Sequence, residues 1–200
     1  YLFSKTIGYI RSSNKEVQSM GYSVDVVIPT KNRLKPCLSE CLNSMYSEVP
    51  LNRLIVIDAY SDDGTVEFIR NFCKEKEIDL ILKQTDAPLP KARQIGIELV
   101  ETDWFLFLDS DVELTEGYFN QLTNHIEKEV GAVQGRKQQT FDENAEEYCP
   151  DDKEWVERRS FRGGTHATLI RKSAVEGINI PEVWQHAGPR QAQLAMVNQT

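Results

Sequence analysis

WFLFLDSD, residues 104–111, is the strongest indication of the fold in this chain, because Asp109-Ser110-Asp111 directly follows an uninterrupted apolar run. Such a run is typical of a strand that is buried on both faces. Side chains alternate along a strand, so Asp109 and Asp111 should emerge on one side, where the strand meets solvent. Two neighbouring carboxylates repel each other unless a cation joins them.

The Asp-Ser-Asp tripeptide admits two interpretations. Hard carboxylate oxygens suit Mg²⁺ or Mn²⁺, which keep some waters and accept further oxygens from a bound phosphate, so the implied ligand is a metal-bound diphosphate. The same tripeptide is ordinary turn chemistry, because short polar side chains bond nearby backbone amides. Taken alone, Asp-Ser-Asp is more often a turn than a metal site. Other parts of the sequence are needed to choose between the two interpretations.

Composition narrows the class of protein. At 200 residues and 40% hydrophobic content, the chain can bury a sizeable core and is most simply one domain. Its 31 acidic and 23 basic residues, for a net charge of -8, argue against a general nucleic-acid binder. The four cysteines show no metal-binding or redox spacing, which predicts small buried hydrophobic residues in a reducing compartment. We expect the chain to be a piece of a longer protein.

Strands and helices alternate along the chain, which predicts a mostly parallel, doubly wound α/β sheet flanked by helices. Segment 1–22 is predicted to be an exposed helix or arm, and a late helix is predicted over 115–129. Predicted strands fall at 23–29, 54–58, 78–82, 104–108, 132–133 and 165–171, and other helices at 35–47, 65–73, 89–100 and 173–176. Ligands of such sheets bind at the carboxyl ends of the strands, so the loops 30–33, 58–63 and 109–111 should carry the chemistry.

Four ordered segments carry a family resemblance. The chain reads VDVVIPTKNR from residue 24, VIDAYSDDGT from 56, PLPKARQIGI from 88 and FLFLDSDV from 105. In order and spacing it resembles the family 2 inverting glycosyltransferases of the GT-A fold, a Rossmann-like sheet with a C-terminal acceptor side. The resemblance implies one domain over 23–200, with a nucleotide-sugar half at 23–135 and an acceptor half, truncated at its end, at 136–200.

The resemblance also implies roles for single residues at the nucleotide end. In the first loop Pro29, Thr30, Asn32 and Arg33 would hold the base and ribose, mainly through backbone groups. Asp58 would help to fix the base and ribose. The family often has a second acid at the next position, where this chain has alanine, so the choice between UDP and GDP stays open. Asp62 and Asp63 also match, but acids at a helix start favour a capping role.

At the diphosphate end, Lys91 and Arg93 match the basic position that would neutralise the departing diphosphate. Without the family context, two basic residues on a helix would be expected to lie on its solvent-exposed face. Asp109, Ser110 and Asp111 match the DxD motif, with Asp109 and Asp111 as ligands of Mn²⁺ or Mg²⁺ and Asp111 the steadier of the two.

The implied reaction moves a hexose-like sugar from a UDP- or GDP-sugar to a hydroxyl of a glycan or lipid-linked acceptor, with inversion. A carboxylate base must take the acceptor proton. Glu182 is the only acid in the expected region, and His186 is the other group there able to accept a proton near neutral pH. The family implies a cytoplasmic location, at the cytoplasmic face of a membrane where segments outside this chain anchor the protein.

Two alternatives stay open. The chain could be a non-catalytic nucleotide-sugar or glycan-binding module of the same fold, because the acid pair expected for the base is missing. A nucleotidyltransferase on a related fold would want a glycine-rich phosphate loop after the first strand, and PTKNR at 29–33 contains no glycine.

Overall fold

The computed structural model describes residues 2–6, 21–35, 37–135, 138–141 and 166–178. Its strands are β1 Leu2–Thr6, β2 Val24–Thr30, β3 Leu51–Asp58, β4 Leu80–Gln84, β5 Trp104–Leu108, β6 Val112–Leu114, β7 Ala132–Gln134, β8 Gln138–Phe141 and β9 Ala167–Arg171. Its helices are α1 Leu38–Glu48, α2 Thr65–Glu75, α3 Leu89–Leu99, α4 Tyr118–Thr123 and α5 Lys172–Val175. Within these ranges, no helix is long and apolar enough to cross a bilayer.

A six-stranded sheet in the order β4-β3-β2-β5-β9-β7 forms the centre of the fold. The first four of these strands run parallel, while β9 lies antiparallel to both β5 and β7. This confirms the mostly parallel, doubly wound sheet. The parallel half places the carboxyl ends of β2, β3, β4 and β5 side by side at one edge.

Apolar layers cover both faces of this sheet, because the side chains of its buried strands point alternately to either side. Val26 and Ile28 pack on one face with α1 and α2, while Val27 packs on the other with α3. Strand β5 is buried along its whole length, as its sequence predicts. Helix α3 approaches closely because Gly96 lies against Val27, where a methyl group would overlap the valine side chain.

A buried ionic network closes the opposite, amino-terminal edge of the sheet. Asp25 is fully buried and accepts hydrogen bonds from Arg53 Nη2 at 2.8 Å, Asn52 Nδ2 at 2.8 Å and the Glu101 backbone N–H at 2.7 Å. Burial alone raises the pKa of Asp25, but these bonds outweigh it and leave the pKa below its ordinary value. The carboxylate is therefore ionised in the folded protein and joins β2 to β3.

Two parts of the sequence prediction need correction. The helix predicted over 115–129 is reduced to Tyr118–Thr123, because Gly117 before it has a φ of 77° and the bonds after it are of the turn type, such as His125 N–H to Leu122 O. Within the predicted N-terminal helix or arm, Leu2–Thr6 is a strand of a second sheet, ordered β6-β1-β8. Non-local pairing with β6 and β8, which residues 1–22 do not reveal, accounts for that strand.

Candidate functional site

A cavity of about 880 Å³ opens at the carboxyl edge of the parallel strands. Three of its walls come from residues 29–33, 85–89 and 109–111, which follow β2, β4 and β5. The remaining lining residues follow β3 or lie on α3 and include Ala59, Tyr60 and Arg93. The cavity thus lies at the edge where a doubly wound sheet binds its ligands.

Each acid of the Asp-Ser-Asp segment has an arginine beside it. Arg93 Nη2 donates to Asp109 Oδ1 at 3.1 Å, and Arg33 Nη2 lies 3.9 Å from Asp111 Oδ2. The two pairs differ in environment, since the Arg93 side chain is 5% exposed and that of Arg33 is 46% exposed. Solvent screens the outer pair far more than the inner one.

The segment is a turn that also presents two carboxylates to the cavity. Asp109 N–H donates to His166 O at 2.8 Å, and Val112 N–H donates to Asp109 O at 3.1 Å. Ser110 is buried between the two acids. The turn and the cation site, set out as alternatives from the sequence, are therefore compatible in this structure.

The donor chemistry of this corner fits Mg²⁺ or Mn²⁺. Two carboxylates supply hard oxygens, and such ions complete their shell with water and phosphate oxygens instead of a protein cage. Among the described residues, no group of three or more histidine, cysteine or acidic side chains could hold a metal alone. Cys41 lies here too, its Sγ donating to Asp109 O at 3.6 Å, but burial raises its pKa and keeps the thiol protonated.

Two buried polar atoms of cavity-lining residues have no hydrogen-bond partner within the described part of the chain. These atoms are Thr30 Oγ1 and Arg93 Nε. Buried polar atoms are almost always satisfied by protein, water or ligand. A buried guanidinium N–H in particular favours an anionic oxygen.

Hydrogen bonds join the loop after β2 to the loop after β3. Asn32 N–H donates to Ser61 Oγ at 2.8 Å, and Asp62 N–H donates back to Asn32 Oδ1 at 3.0 Å. Arg33 N–H donates to Thr65 Oγ1 at 2.9 Å, at the first residue of α2. These bonds hold the two walls of the cavity in a fixed relation.

Of the two acids predicted to cap the start of α2, Asp63 bonds there, whereas Asp62 lines the cavity. Asp63 Oδ1 accepts the N–H of Thr65 at 3.0 Å, and its Oδ2 accepts that of Leu34 at 3.0 Å. Slight burial acts to raise the pKa of Asp63, but the bonds from Thr65 and Leu34 lower it below its ordinary value. The carboxylate therefore fixes the start of α2 instead of facing a ligand.

The structure separates two predicted residues from the cavity. Asp58 is fully buried behind its wall, where it accepts bonds from Ser61 N–H at 3.0 Å and Gln84 Nε2 at 2.9 Å. Ala59 and Tyr60 form the wall in its place. Lys91 does not line the cavity either, because its side of α3 faces away from the cavity-lining Ala92 and Arg93. Direct contacts of Asp58 and Lys91 with a ligand are thus not supported by this geometry.

Other predicted residues are brought together as expected. The cavity collects Pro29, Thr30, Asn32, Arg33, Arg93, Asp109, Ser110 and Asp111. Glu182 and His186, the candidates for the base, lie outside the described residues. Sequence reasoning missed the segment 85–89, although it follows the carboxyl end of β4 and the strand-end rule that found the other loops applies to it as well.

Comparison with known proteins assigns the family. The model of "Glycosyl transferase family 2" matches residues 25–177, and the chain belongs to that family. An uncharacterized glycosyltransferase of Haemophilus influenzae is 34% identical over 92 residues, covering 44% of this chain and 36% of that protein. Polypeptide N-acetylgalactosaminyltransferase 8 of Drosophila melanogaster is 33% identical over 105 residues, covering 50% of this chain and 18% of that protein. The chain thus matches only a minor part of each relative's length.

Solved structures show the same fold. S. aureus TarS 1-349 superposes with a TM-score of 0.60 at 19% identity, covering 88% of this chain and 55% of that one. A mannosyltransferase of Pyrobaculum calidifontis, solved with GDP-Man and Mn²⁺, has a TM-score of 0.60 at 18% identity and covers 84% of this chain and 49% of that one. The fold is of the GT-A type.

Proposed function

We propose that this chain binds a nucleoside diphosphate sugar together with a divalent cation and transfers the sugar to an acceptor hydroxyl with inversion. One observation carries the proposal: Asp109, Asp111, Arg33 and Arg93 converge on a single cavity at the carboxyl edge of a GT-A sheet. Acids for a cation and guanidinium groups for phosphate oxygens are the two charge types that a metal-bound diphosphate requires. Membership of glycosyl transferase family 2 supports the same conclusion.

The acidic corner would hold the cation and the diphosphate. Asp109 and Asp111 would bind Mn²⁺ or Mg²⁺, whose chemistry when bound is to neutralise the charge that develops on the departing diphosphate. The buried Nε–H of Arg93, which has no partner among the described residues, would donate to a phosphate oxygen. The GDP-Man and Mn²⁺ in the structure of the mannosyltransferase are in line with this donor class.

The transfer step is a displacement at the anomeric carbon. The acceptor hydroxyl oxygen forms a bond to that carbon while the bond to the diphosphate oxygen breaks, and the nucleoside diphosphate leaves. The hydroxyl proton passes to a carboxylate base, for which Glu182 is our candidate. A glycan or a lipid-linked sugar is the proposed acceptor, and a cytoplasmic location, at a membrane where further segments provide an anchor, is proposed with it.

A thermal-shift panel with UDP-, GDP-, CDP- and dTDP-sugars, with and without Mn²⁺, tests donor binding. We expect one nucleotide class to raise Tm only when Mn²⁺ is present, since a ligand that binds only the folded state stabilises it. Asp111→Asn should remove that metal dependence, whereas Asp79→Asn, an exposed acid preceding β4 and away from the cavity, should leave it intact.

The outcomes separate the parts of the proposal. Stabilisation that persists in EDTA and survives Asp111→Asn would exclude the cation site. If no nucleotide shifts Tm at all, donor binding is wrong. Metal-dependent binding of a donor that is neither hydrolysed nor transferred would favour the non-catalytic binding module.

A further inference from the structure

Tyr60 has an unusual backbone conformation at the cavity. Among the described residues, the non-glycine positions with positive φ are Asn32 at 49°, Tyr60 at 52° and Glu77 at 54°. Asn32 and Tyr60 line the cavity, whereas Glu77 follows α2 and does not. Asparagine tolerates the left-handed region well, but an aromatic residue there is uncommon and costs free energy. A role for Tyr60 that offsets this cost in free energy is therefore expected.

Neighbouring hydrogen bonds hold Tyr60 in this conformation. On one side Ala59 N–H donates to Thr30 O at 2.9 Å, and on the other Ser61 N–H donates to Asp58 Oδ2 at 3.0 Å. The peptide that follows Tyr60 is thus held by the buried Asp58, and the Asp58–Ala59 peptide one residue before it is held by β2. Residues kept in sparsely populated conformations by their surroundings cluster at ligand sites.

Burial of the ring does not explain the strain. Tyr60 is 60% exposed, the most exposed of the large hydrophobic residues in the described chain. A side chain that served only the core would be covered. Tyr60 instead lines the cavity with most of its surface accessible, and an exposed aromatic ring in a wall is a stacking surface.

The position of Tyr60 identifies what would stack on it. The acids and arginines lie at the β5 end of the cavity, while Tyr60 follows β3, which is two strands away in the order β3-β2-β5. Adjacent strands lie about 4.8 Å apart, so the two ends are separated by roughly 10 Å. A ligand with its diphosphate at the charged end extends its nucleoside toward the β3 end.

The wall around Tyr60 supplies both apolar and polar groups. Ala59, Ala87 and Pro88 are apolar, whereas Asp62, Thr85 and Asp86, which follow β3 and β4, are polar and also line the cavity. The Asp58 carboxylate is already bonded to Ser61 and Gln84 and does not line the cavity. Among the lining residues, Tyr60 is the aromatic one and can cover the flat face of a ring.

We propose that the Tyr60 ring stacks on the nucleobase of the nucleoside diphosphate and that this contact holds the base. The inference rests on the proposed donor binding and adds a residue to it. Stacking of this kind is sequence-tolerant, because every base has a π face. Whichever nucleotide the protein binds should therefore depend on Tyr60.

The test compares Tyr60→Gly with Glu77→Gly, since both replace a left-handed residue by one that adopts this region freely. Both changes should raise the Tm of the ligand-free protein. By calorimetry with the nucleotide that stabilises the parent protein, in the presence of Mn²⁺, Tyr60→Gly should weaken binding roughly five- to 150-fold, the range expected for loss of one stacked base. Glu77→Gly should leave affinity unchanged, and Tyr60→Phe should keep it within about twofold.

Tyr60→Asn serves as a second variant, because asparagine tolerates positive φ but cannot stack in the same way. Its affinity should fall as that of Tyr60→Gly does. Affinity within twofold of the parent protein in both the Gly and the Asn variants would overturn the proposal. If the parent protein binds none of the nucleotides, donor binding itself fails and the stacking proposal falls with it, whereas failure at Tyr60 alone leaves donor binding intact.

Discussion

Arg93 Nη2 donates to Asp109 Oδ1 at 3.1 Å, and the two cavity-lining side chains differ in exposure, the acid being 32% exposed and the arginine 5%. Packing of α3 on the sheet fixes the guanidinium before any ligand arrives, so the charge at this corner is preorganised. The outer pair of Arg33 and Asp111, at 3.9 Å and largely exposed, is not constrained in that way. The two arginines should therefore respond differently to substitution.

Arg93→Gln should weaken the binding of UDP or GDP by about tenfold, because a charge-assisted bond from a buried donor to a phosphate is lost. Binding of the parent nucleoside, which has no phosphate, should change little. Titrating the variant with UDP and with uridine checks this. Equal losses for both ligands would mean that the substitution acts through the fold instead of the phosphate contact.

Arg33→Gln should have opposite effects on two ligands. The positive charge beside Asp111 competes with a cation, so Mn²⁺ alone should bind roughly two- to fivefold more tightly to the variant, a range set by the small free energy of exposed ion pairs. UDP or GDP with Mn²⁺ should bind more weakly, since a cation near the diphosphate is removed. Calorimetry with Mn²⁺ alone and then with nucleotide measures both, and Lys74→Gln, at an exposed lysine of α2 that does not line the cavity, is the control. A drop in Mn²⁺ affinity in Arg33→Gln would contradict the competition.

Asp25→Asn should lower the free energy of unfolding by about 3 kcal/mol at pH 7, because it leaves the buried end of Arg53 without its charged partner. The pKa of Asp25 is lowered in the folded state, so its contribution is fully present above the unfolded value of about 4 and is lost as the pH falls through the folded pKa. Urea unfolding at neutral pH and near pH 3 should show the gap between parent and variant narrowing in acid. Asp79→Asn provides the exposed control, and a gap independent of pH would refute the ionised state.

Gly96→Ala should destabilise the protein by about 1–3 kcal/mol, because the new methyl group overlaps the Val27 side chain between α3 and β2. Adding Val27→Ala should recover part of the loss, although Val27→Ala alone is destabilising through its cavity. Unfolding of both single variants and the double variant gives the coupling. Purely additive effects would argue against close packing at this contact.

The sequence predicts most of the parallel half of the fold because its signals are local. In α1 the helical spacing identifies Leu38, Cys41, Leu42 and Met45 as the buried face, and these are the residues that pack inward. The apolar run of β5 likewise becomes a strand buried on both faces. Periodicity within a window of about a dozen residues is enough for such elements.

Other features depend on contacts between distant residues and could not be predicted in the same way. The sequence around Leu2–Thr6 has no local pattern that predicts a strand. This strand forms by pairing with β6 and β8, which lie more than a hundred residues away in the chain. Asp58 was a candidate for ligand binding because of its place at a strand end, but its burial depends on Gln84 of the neighbouring strand. No sequence pattern marks Tyr60, because its positive φ and the exposure of its side chain can be seen only in the structure.

The ionic network at Asp25 and the ligand-facing turn at Thr30 lie on the same strand, β2, at its two ends. A strand of this length separates them by roughly 17 Å, beyond the screening length of physiological salt. Substitutions that change which donor the cavity binds should therefore not affect the Asp25 network that joins β2 to β3. Residues at the carboxyl edge of this sheet therefore determine ligand specificity, and residues at the amino edge determine stability. Engineering of donor specificity should change the carboxyl edge and keep the amino edge as it is.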